Sequence, residues 1–226
     1  MSAIRLSVTG VSKIYGSRAM PVPAVRRATF GCEAGTVTAI MGPSGSGKTT
    51  ILSILGLLLK PTSGRVTIMG REVTELNEAR LPALRRQNIG FIFQSFNLFA
   101  ALTALENVLL SLQLHRVPKA EAMILAHAAL DRVNLAPRAS FYPRDLSGGE
   151  KQRVSIARAI AADVPIILAD EPTANLDSGT GLGIIDLLHE LAASQGKTVV
   201  VVSHDLRITE HVNRVLRMED GVIQAE

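Results

Sequence analysis

The chain has 226 residues, 24 of them basic and 20 acidic, and its 47% hydrophobic content suits one sizeable α/β domain. No apolar run approaches the roughly 18 residues of a membrane span, and the first residues lack a signal-peptide pattern, so we expect a cytoplasmic chain. The single cysteine, Cys32, excludes an intramolecular disulfide framework and a cysteine-rich zinc site. The small, dispersed positive excess favours a solvated surface, so we predict no nucleic-acid partner.

Strand patterns recur along the chain. Ile4, Leu6 and Val8 alternate with polar residues, which predicts a half-buried strand, and a second short strand passes through Ala28 and Phe30. Further strands are predicted at residues 36–41, 65–69, 89–93, 166–169 and 199–202. The last two are continuously apolar, as expected for strands buried on both faces of a parallel sheet. Asp220-Gly221 between apolar pairs predicts a terminal hairpin over residues 215–223.

Helix patterns dominate the middle of the chain. Dense alanine and leucine, punctuated by prolines, predict helices over residues 102–114, 119–133 and 150–162. A further helix is predicted over residues 179–193, between the two apolar strands. Alternating strands and helices predict βαβ units, so the fold class is α/β with a helical insertion.

A phosphate-binding loop is the most informative motif. Gly42 to Thr49 read G-P-S-G-S-G-K-T between a predicted strand and a predicted helix, which is the context that the pattern requires. The glycines let backbone N–H groups point at phosphate oxygens, beside the N-terminus of the helix. Lys48 can reach the β- and γ-phosphates, and the Thr49 hydroxyl can ligate Mg²⁺.

Two carboxylates follow the apolar strand at residues 166–169. Asp170 can hold Mg²⁺ directly or through water, and the adjacent Glu171 can polarise an attacking water. Either side chain could instead cap the turn at Pro172. The phosphate loop in the same chain favours the metal and catalytic roles.

A second anion site is indicated at residues 146–150, which read L-S-G-G-E. Ser147 is a good N-cap, and Gly148 and Gly149 leave backbone amides uncovered at a helix start. No anion in the chain itself is an obvious partner for this segment.

Together these motifs resemble those of the ATP-binding cassette (ABC) ATPases, over essentially the whole chain. The resemblance identifies Leu146–Glu150 as the signature segment, although the family's commonest form has Gln where this chain has Glu150. It identifies Glu171, His204, Gln94 and Lys48 as catalytic, and Thr49, Gln94 and Asp170 as metal-binding. It implies that ATP is bound by Tyr15, Gly42, Ser44, Gly45, Ser46, Gly47, Lys48, Thr49, Thr50, Ser147, Gly148, Gly149 and Asp177.

The resemblance also implies an architecture. A P-loop NTPase (RecA-like) parallel-sheet core with an antiparallel β subdomain occupies residues 1–94 and 163–226, and a helical subdomain carrying the signature occupies residues 95–162. All of residues 1–226 form a single ABC ATPase domain. Two copies stack head to tail around ATP and Mg²⁺, so that Ser147 and Gly149 of each copy cap the nucleotide of the other.

Residues 91–99 and 102–108 are similar to the branch serving lipoprotein release and macrolide export, with a subset that includes heterocyst glycolipid and haem exporters. That branch implies an exporter or mechanotransmission subunit on the cytoplasmic face of the inner membrane. A membrane permease is the implied partner, and a periplasmic adaptor would join through it. A non-transport ABC ATPase that regulates a cell-envelope or assembly complex shares every ATP-site motif and stays an alternative. DNA-repair and translation cassettes are disfavoured because the chain has one phosphate loop and no long heptad segment.

Several residues have simpler interpretations. Tyr15 is a candidate for adenine stacking or a plain surface aromatic. Phe96, Leu98, Phe99 and Leu102 either fill the core of the helical subdomain or line a groove for a permease helix. The remaining histidines, expected to stand alone in solvent, are His115, His127, His189 and His211.

Overall fold

A computed structural model describes residues 3–17 and 20–225. Over these residues the strands are β1 (Ile4–Ser17), β2 (Met20–Glu33), β3 (Val37–Met41), β4 (Ser63–Ile68), β5 (Arg71–Glu72), β6 (Ile89–Ile92), β7 (Ile166–Asp170), β8 (Thr198–Ser203), β9 (Arg214–Glu219) and β10 (Val222–Ala225). The α-helices are α1 (Lys48–Leu55), α2 (Leu81–Asn88), α3 (Ala104–Leu114), α4 (Lys119–Arg132), α5 (Gly148–Ile160) and α6 (Ser178–Gln195).

The larger sheet has the order β10-β9-β3-β8-β7-β6, and its strands are parallel except β10, which pairs antiparallel with β9. Alternate residues of β8 join different cores: Val199 and Val201 pack with α6, whereas Val200 and Val202 pack with α1. Burial on both faces explains why this strand is continuously apolar. The parallel strands end at one edge, where the loops after β3 and β7 meet.

The smaller sheet is antiparallel, in the order β2-β1-β4-β5, and shares one core with α1. The strands predicted near Ile4 and Phe30 are the bases of a long hairpin, each arm being 14 residues. The predicted strands were too short because register shifts, including one between Val8 and Val11, break the alternation that marks a strand. The hairpin's far end is largely exposed, so it carries no core-facing pattern.

Helices α3, α4 and α5 pack together and against the larger sheet through small and branched residues. Both α3 and α5 begin with a capping box, in which the N-cap hydroxyl and the glutamate three residues later satisfy each other's backbone N–H. The fully buried Asn107 hydrogen-bonds the backbone of Phe99, Leu102 and Thr103, which fixes the segment before α3.

The predicted helices and the terminal hairpin are present, with ends shifted by a few residues. Helix α2 was missed because its mean composition is polar and Arg-rich, with no buried residue to give a helical period. Among residues 3–17 and 20–225, no helix combines the length and apolar character needed to cross a membrane.

Candidate functional site

The loop between β3 and α1 is shaped by glycines that no other residue could replace. A Cβ on Gly42 would lie 2.0 Å from the Met218 carbonyl oxygen. Gly47 has φ 103°, and a Cβ there would lie 2.1 Å from the Ala24 carbonyl oxygen. Both contacts are shorter than atoms tolerate, so the backbone can fold this tightly only with glycine. Because these glycines carry no side chains, the backbone of the loop stays uncovered at the N-terminus of α1.

Lys48 begins α1 and lies across the loop. Its ammonium donates to the carbonyl oxygens of Gly42 and Pro43, both at 2.8 Å, and lies 3.9 Å from Glu171. Only 7% of Lys48 is exposed. The loop therefore holds a largely buried positive charge at the point where the helix N-terminus also favours an anion.

A cavity of about 530 Å³ opens above this loop. Of the predicted site residues, it is lined by Ser44, Gly45, Gly47, Lys48, Thr49, Thr50, Gln94, Glu171 and His204. Gly42 and Ser46 underlie the loop rather than line the cavity, and the Ser46 hydroxyl is buried without a hydrogen-bond partner among the described residues. Ala24 and Pro43 also line it. Ala24 was not predicted, because it belongs to β2, far from the motif in sequence.

Oxygen groups suited to a hard cation adjoin the cavity. The Thr49 hydroxyl donates to the Asp170 carboxylate at 3.3 Å, and the Gln94 side chain lines the same space. Burial, with a smaller contribution from neighbouring Glu171, raises the pKa of Asp170 above its ordinary value. A hydroxyl, a carboxylate and an amide oxygen are ligands that fit Mg²⁺.

Glu171 and His204 face each other across the ends of β7 and β8. The His204 Nδ1 atom lies 3.0 Å from Glu171 Oε2, and the Glu171 carboxylate is only 13% exposed. Glu171 has φ 46°, a left-handed conformation that glutamate rarely adopts, while its N–H donates to the Val202 carbonyl at 2.9 Å. This strained backbone directs the carboxylate toward Lys48 and His204.

The signature segment lies outside this cavity. Glu150 accepts from the Ser147 N–H at 2.8 Å, and the Glu150 N–H donates to the Ser147 hydroxyl at 3.2 Å. The first of these bonds is the main cause of a lowered pKa for Glu150, and Arg138 adds an ion pair at 3.1 Å. The glutamate that departs from the family's common form thus completes a helix cap. A Cβ on Gly149 would lie 2.5 Å from Thr180 Cγ2, so the segment packs tightly on α6.

Two other predicted site residues also lie outside the cavity. Tyr15, 41% exposed, lies toward the far end of the β1–β2 hairpin, paired with Val22 and under the Lys13 ammonium. Asp177 caps α6 by accepting from the Thr180 N–H at 3.0 Å, and that bond is the main cause of its lowered pKa. The predicted site residues therefore fall into two sets, those around the phosphate-loop cavity and those outside it, which are Tyr15, Asp177 and the signature segment.

The prediction of solitary histidines was wrong for two of them. Both ring nitrogens of His115 lie within 2.7 Å of carbonyl oxygens, those of Ser111 and Arg86, which ties α3 to α2. His211 lies 2.7 Å from the Asp186 carboxylate. Sequence spacing gave no signal of the contacts with Arg86 and Asp186, because each of these joins two different elements. Cys32 is buried, which raises the pKa of its thiol to about 11 and keeps it an inert apolar group.

Comparison with known proteins identifies the family. The family model described as ABC transporter matches residues 25–174. An uncharacterized ABC transporter ATP-binding protein of Thermotoga maritima is 45% identical over 97% of this chain and 93% of its own length. The lipoprotein-releasing system ATP-binding protein LolD of Hydrogenovibrio crunogenus is 40% identical, over 98% of this chain and 96% of its own length.

The macrolide export ATP-binding/permease protein MacB of Bdellovibrio bacteriovorus is 43% identical over 98% of this chain, which spans only 34% of that longer protein. Among solved structures, a dimeric post-hydrolysis state of the ATP-binding cassette MJ0796, bound to ADP and Pi, superimposes with a TM-score of 0.87 at 41% identity, covering 97% of this chain and 96% of that one. With its P-loop NTPase fold and these relatives, the chain belongs to the ABC transporter family, as an ATP-binding cassette with ATPase activity.

Proposed function

We propose that this protein is the ATP-hydrolysing subunit of a membrane transporter, and that two copies enclose two ATP molecules to drive a permease. The observation that carries the proposal is the convergence of Lys48, Glu171 and His204 on one cavity above the phosphate loop. Glu171 lies 3.9 Å from the Lys48 ammonium and 3.0 Å from the His204 ring, so a cation for phosphate, a carboxylate for water and an imidazole adjoin one another.

The phosphate loop binds the β- and γ-phosphates through its backbone N–H groups and Lys48. Lys48 is held by the carbonyls of Gly42 and Pro43 before any ligand arrives, so little reorganisation is needed when phosphate binds. Thr49, Asp170 and Gln94 would hold Mg²⁺, which neutralises phosphate charge when bound. Tyr15, exposed on the β1–β2 hairpin, is the residue for stacking on adenine.

Glu171 is the general base that orients the attacking water. Its carboxylate is nearly enclosed, and its contacts with Lys48 and His204 restrict it to one orientation. His204 contacts both Glu171 and the cavity, so its ring is in place to sense the γ-phosphate. Loss of that phosphate would remove its contacts with Lys48 and His204.

The signature segment supplies the second half of a composite site. Ser147, Gly148 and Gly149 present a capped helix N-terminus away from the chain's own cavity. A head-to-tail pair places each signature over the partner's ATP and gives two equal sites. The dimeric state of the MJ0796 cassette supports this arrangement. We assign residues 95–162 to a helical subdomain that carries the signature, and the remainder to the nucleotide-binding core.

A groove of about 590 Å³ is the candidate docking site for the permease. The stacked rings of Phe91 and Phe93 line it, together with Phe99 and Leu114, which are 59% and 69% exposed. Such exposed apolar residues around a concave surface are typical of a site for an amphipathic helix. Groove residues lie on both sides of Gln94 in the sequence, at Phe93 and Asn97, so a shift of Gln94 at the cavity would reach the groove within a few residues.

The lining of the groove is also basic. The described residues around it include Arg85, Arg86 and Arg158 and no carboxylate. Arg158 donates hydrogen bonds to the Phe96 and Asn97 carbonyl oxygens. Burial lowers the pKa of its guanidinium, so these neutral carbonyls compensate only part of the cost of burying the positive charge. The docking segment should therefore combine apolar anchors with acidic residues.

The names of two relatives, one a lipoprotein-releasing ATP-binding protein and one a macrolide export protein, support an export role. We propose that this chain acts in export or mechanotransmission, on the cytoplasmic face of the inner membrane. A periplasmic adaptor would join through the permease. A non-transport ABC ATPase of a cell-envelope or assembly complex has the same cavity. The two functions are distinguished by co-expressing this chain with a membrane permease encoded by a neighbouring gene. Co-purification of the permease and stimulation of ATP turnover by it would support the transporter, and the absence of both would support the non-transport ATPase.

The metal assignment is tested with Mn²⁺ as a paramagnetic substitute for Mg²⁺. Electron paramagnetic resonance should detect Mn²⁺ bound in the presence of ATP by the wild-type protein, and much weaker binding by Asp170→Asn and Thr49→Val. Asp131→Asn, on the exposed side of α4, is the matched control. Equal Mn²⁺ binding by all four proteins would overturn the assignment.

A further inference from the structure

Arg207 joins two segments that the motifs treat separately. It lies three residues after His204, and its Nε and Nη2 atoms donate to the two carboxylate oxygens of Asp205 at 2.8 Å and 2.6 Å. Its Nη1 atom donates to the hydroxyl of Ser178. Because the guanidinium is a rigid planar fork, one side chain fixes Asp205 and Ser178 relative to each other.

Asp205 is itself anchored on the backbone beside His204. Its N–H donates to the Ser203 hydroxyl at 3.1 Å, and its carboxylate also accepts from the Arg207 N–H at 3.0 Å. The side chain of Asp205 is only 18% exposed. Arg207 is itself 52% exposed, but the backbone contacts hold Asp205 in place, so the pair differs from a surface ion pair in which both side chains stay mobile.

At the other end, Ser178 belongs to the first turn of α6, which supports the signature segment. Thr180, in the same turn, packs against Gly149 so closely that a Cβ there would lie 2.5 Å from its methyl carbon. Gly148 packs on Asn175 and Leu176, just before α6. A continuous set of contacts therefore runs from His204 through Arg207 and the start of α6 to the signature glycines.

We propose that Arg207 is a positioning residue that makes His204 and the signature segment of one subunit move together. The inference rests on the composite sites proposed above. His204 faces the subunit's own ATP, whereas the signature faces the ATP of the partner. Arg207 would thus let the state of one nucleotide set the alignment of the groups that close over the other, which is a coupling between two sites.

The test is the ATP dependence of hydrolysis by the intact protein. Arg207→Ala should lower the Hill coefficient from the wild-type value toward 1, because the two sites lose their coupling. It should also reduce kcat, because the signature would be aligned less often over the partner's ATP. The affinity of the monomer for a fluorescent ATP analogue should not change, because Arg207 does not line the phosphate cavity. Arg207→Lys should stay defective, since an ammonium cannot span both partners.

Matched variants separate coupling from loss of stability. Ser178→Ala removes only one end of the link and should reproduce the kinetic defect, with no further loss in the double variant. Ser194→Ala is its control, because that hydroxyl donates to the Glu190 carbonyl in the last turns of the same helix. Arg132→Ala, on the exposed side of α4, controls for loss of an arginine. If Arg207→Ala unfolds at a lower temperature, Ser178→Ala decides the question.

Wild-type Hill coefficients and kcat in both Arg207→Ala and Ser178→Ala would overturn the inference. Failure of the composite-site proposal gives a different pattern, in which the wild-type protein itself forms no ATP-dependent dimer and has a Hill coefficient of 1. The two failures are therefore distinguished in the same set of measurements.

Discussion

The phosphate cavity and the signature segment contain similar anion-binding chemistry, but they differ in completeness. In the cavity, backbone amides at the start of α1 are accompanied by Lys48, Glu171 and His204. At the signature, the start of α5 has a well-formed capping box and two glycines, and Glu150 is paired with Arg138. One region can bind and activate a phosphate group; the other can only cap one. This difference is what our proposal expects if the signature acts on a ligand held by another subunit.

The largest loss of ATP turnover is expected from Lys48→Ala, in the phosphate cavity. It should be roughly 10³-fold, because the variant lacks the preorganised positive charge at the phosphates. The buried Lys197 is the matched control, since it pairs with Asp163 at 2.8 Å away from the cavity. Lys197→Ala should lower the melting temperature and leave kcat near the wild-type value. Steady-state ATPase assays with thermal denaturation measure both. Equal loss of turnover in the two variants would mean that Lys48 acts through stability alone.

A similar contrast exists between the two capping boxes. Ser147→Arg and Thr103→Arg each remove an N-cap hydroxyl, so each should cost about 1 kcal/mol of stability. Only Ser147→Arg should reduce hydrolysis, roughly 10²-fold, because it alone fills the space for the partner's phosphate. Binding of a fluorescent ATP analogue should be unchanged in both. Full activity of Ser147→Arg would remove the signature from the mechanism.

Asp170→Asn should change the thermal stability of the free protein by less than the capping variants do. It should raise that stability rather than lower it. Burial raises the pKa of Asp170, so the folded state binds its proton more readily than the unfolded state. Stability is therefore lost as pH rises from the ordinary carboxyl range through the folded pKa, and at pH 7 the ionised side chain destabilises the free protein. Thermal melts without nucleotide or Mg²⁺ should show Asp170→Asn more stable than wild type at pH 7, with the difference shrinking toward pH 4. A less stable variant at pH 7 would contradict the argument.

Phe99→Glu should change the isolated protein least. Phe99 is 59% exposed in the groove and away from the cavity, so ATP turnover and melting temperature should stay near wild type. Co-purification with the permease and stimulation of turnover by it should fall strongly, because a carboxylate replaces an apolar anchor. Ile124→Glu, an exposed apolar residue of α4 outside the groove, is the control. Unchanged complex formation by Phe99→Glu would remove the groove from the interface.

The sequence predicted the cavity well because its groups follow strands whose carboxyl ends must meet at one edge of a parallel sheet. Lys48, Glu171 and His204 follow such strands, and Asp170 is the last residue of one. Contacts between elements could not be predicted in the same way. Arg207 and Ser178 are 29 positions apart, and no motif contains either of them. Ala24 lines the cavity only because the long hairpin brings β2 beside the phosphate loop. Register shifts in that hairpin interrupt the alternating pattern from which its full length could have been predicted.

The central claim, that the signature completes a site on another copy, is tested most directly by light scattering of Glu171→Gln. This substitution removes the carboxylate that we propose as the general base and keeps the shape of the side chain, so ATP should persist and continue to bridge two subunits. We predict a dimer with saturating ATP, a monomer without it, and a monomer when Ser147→Arg is added. A variant that stays monomeric with its nucleotide sites full would contradict the composite-site account for the isolated protein.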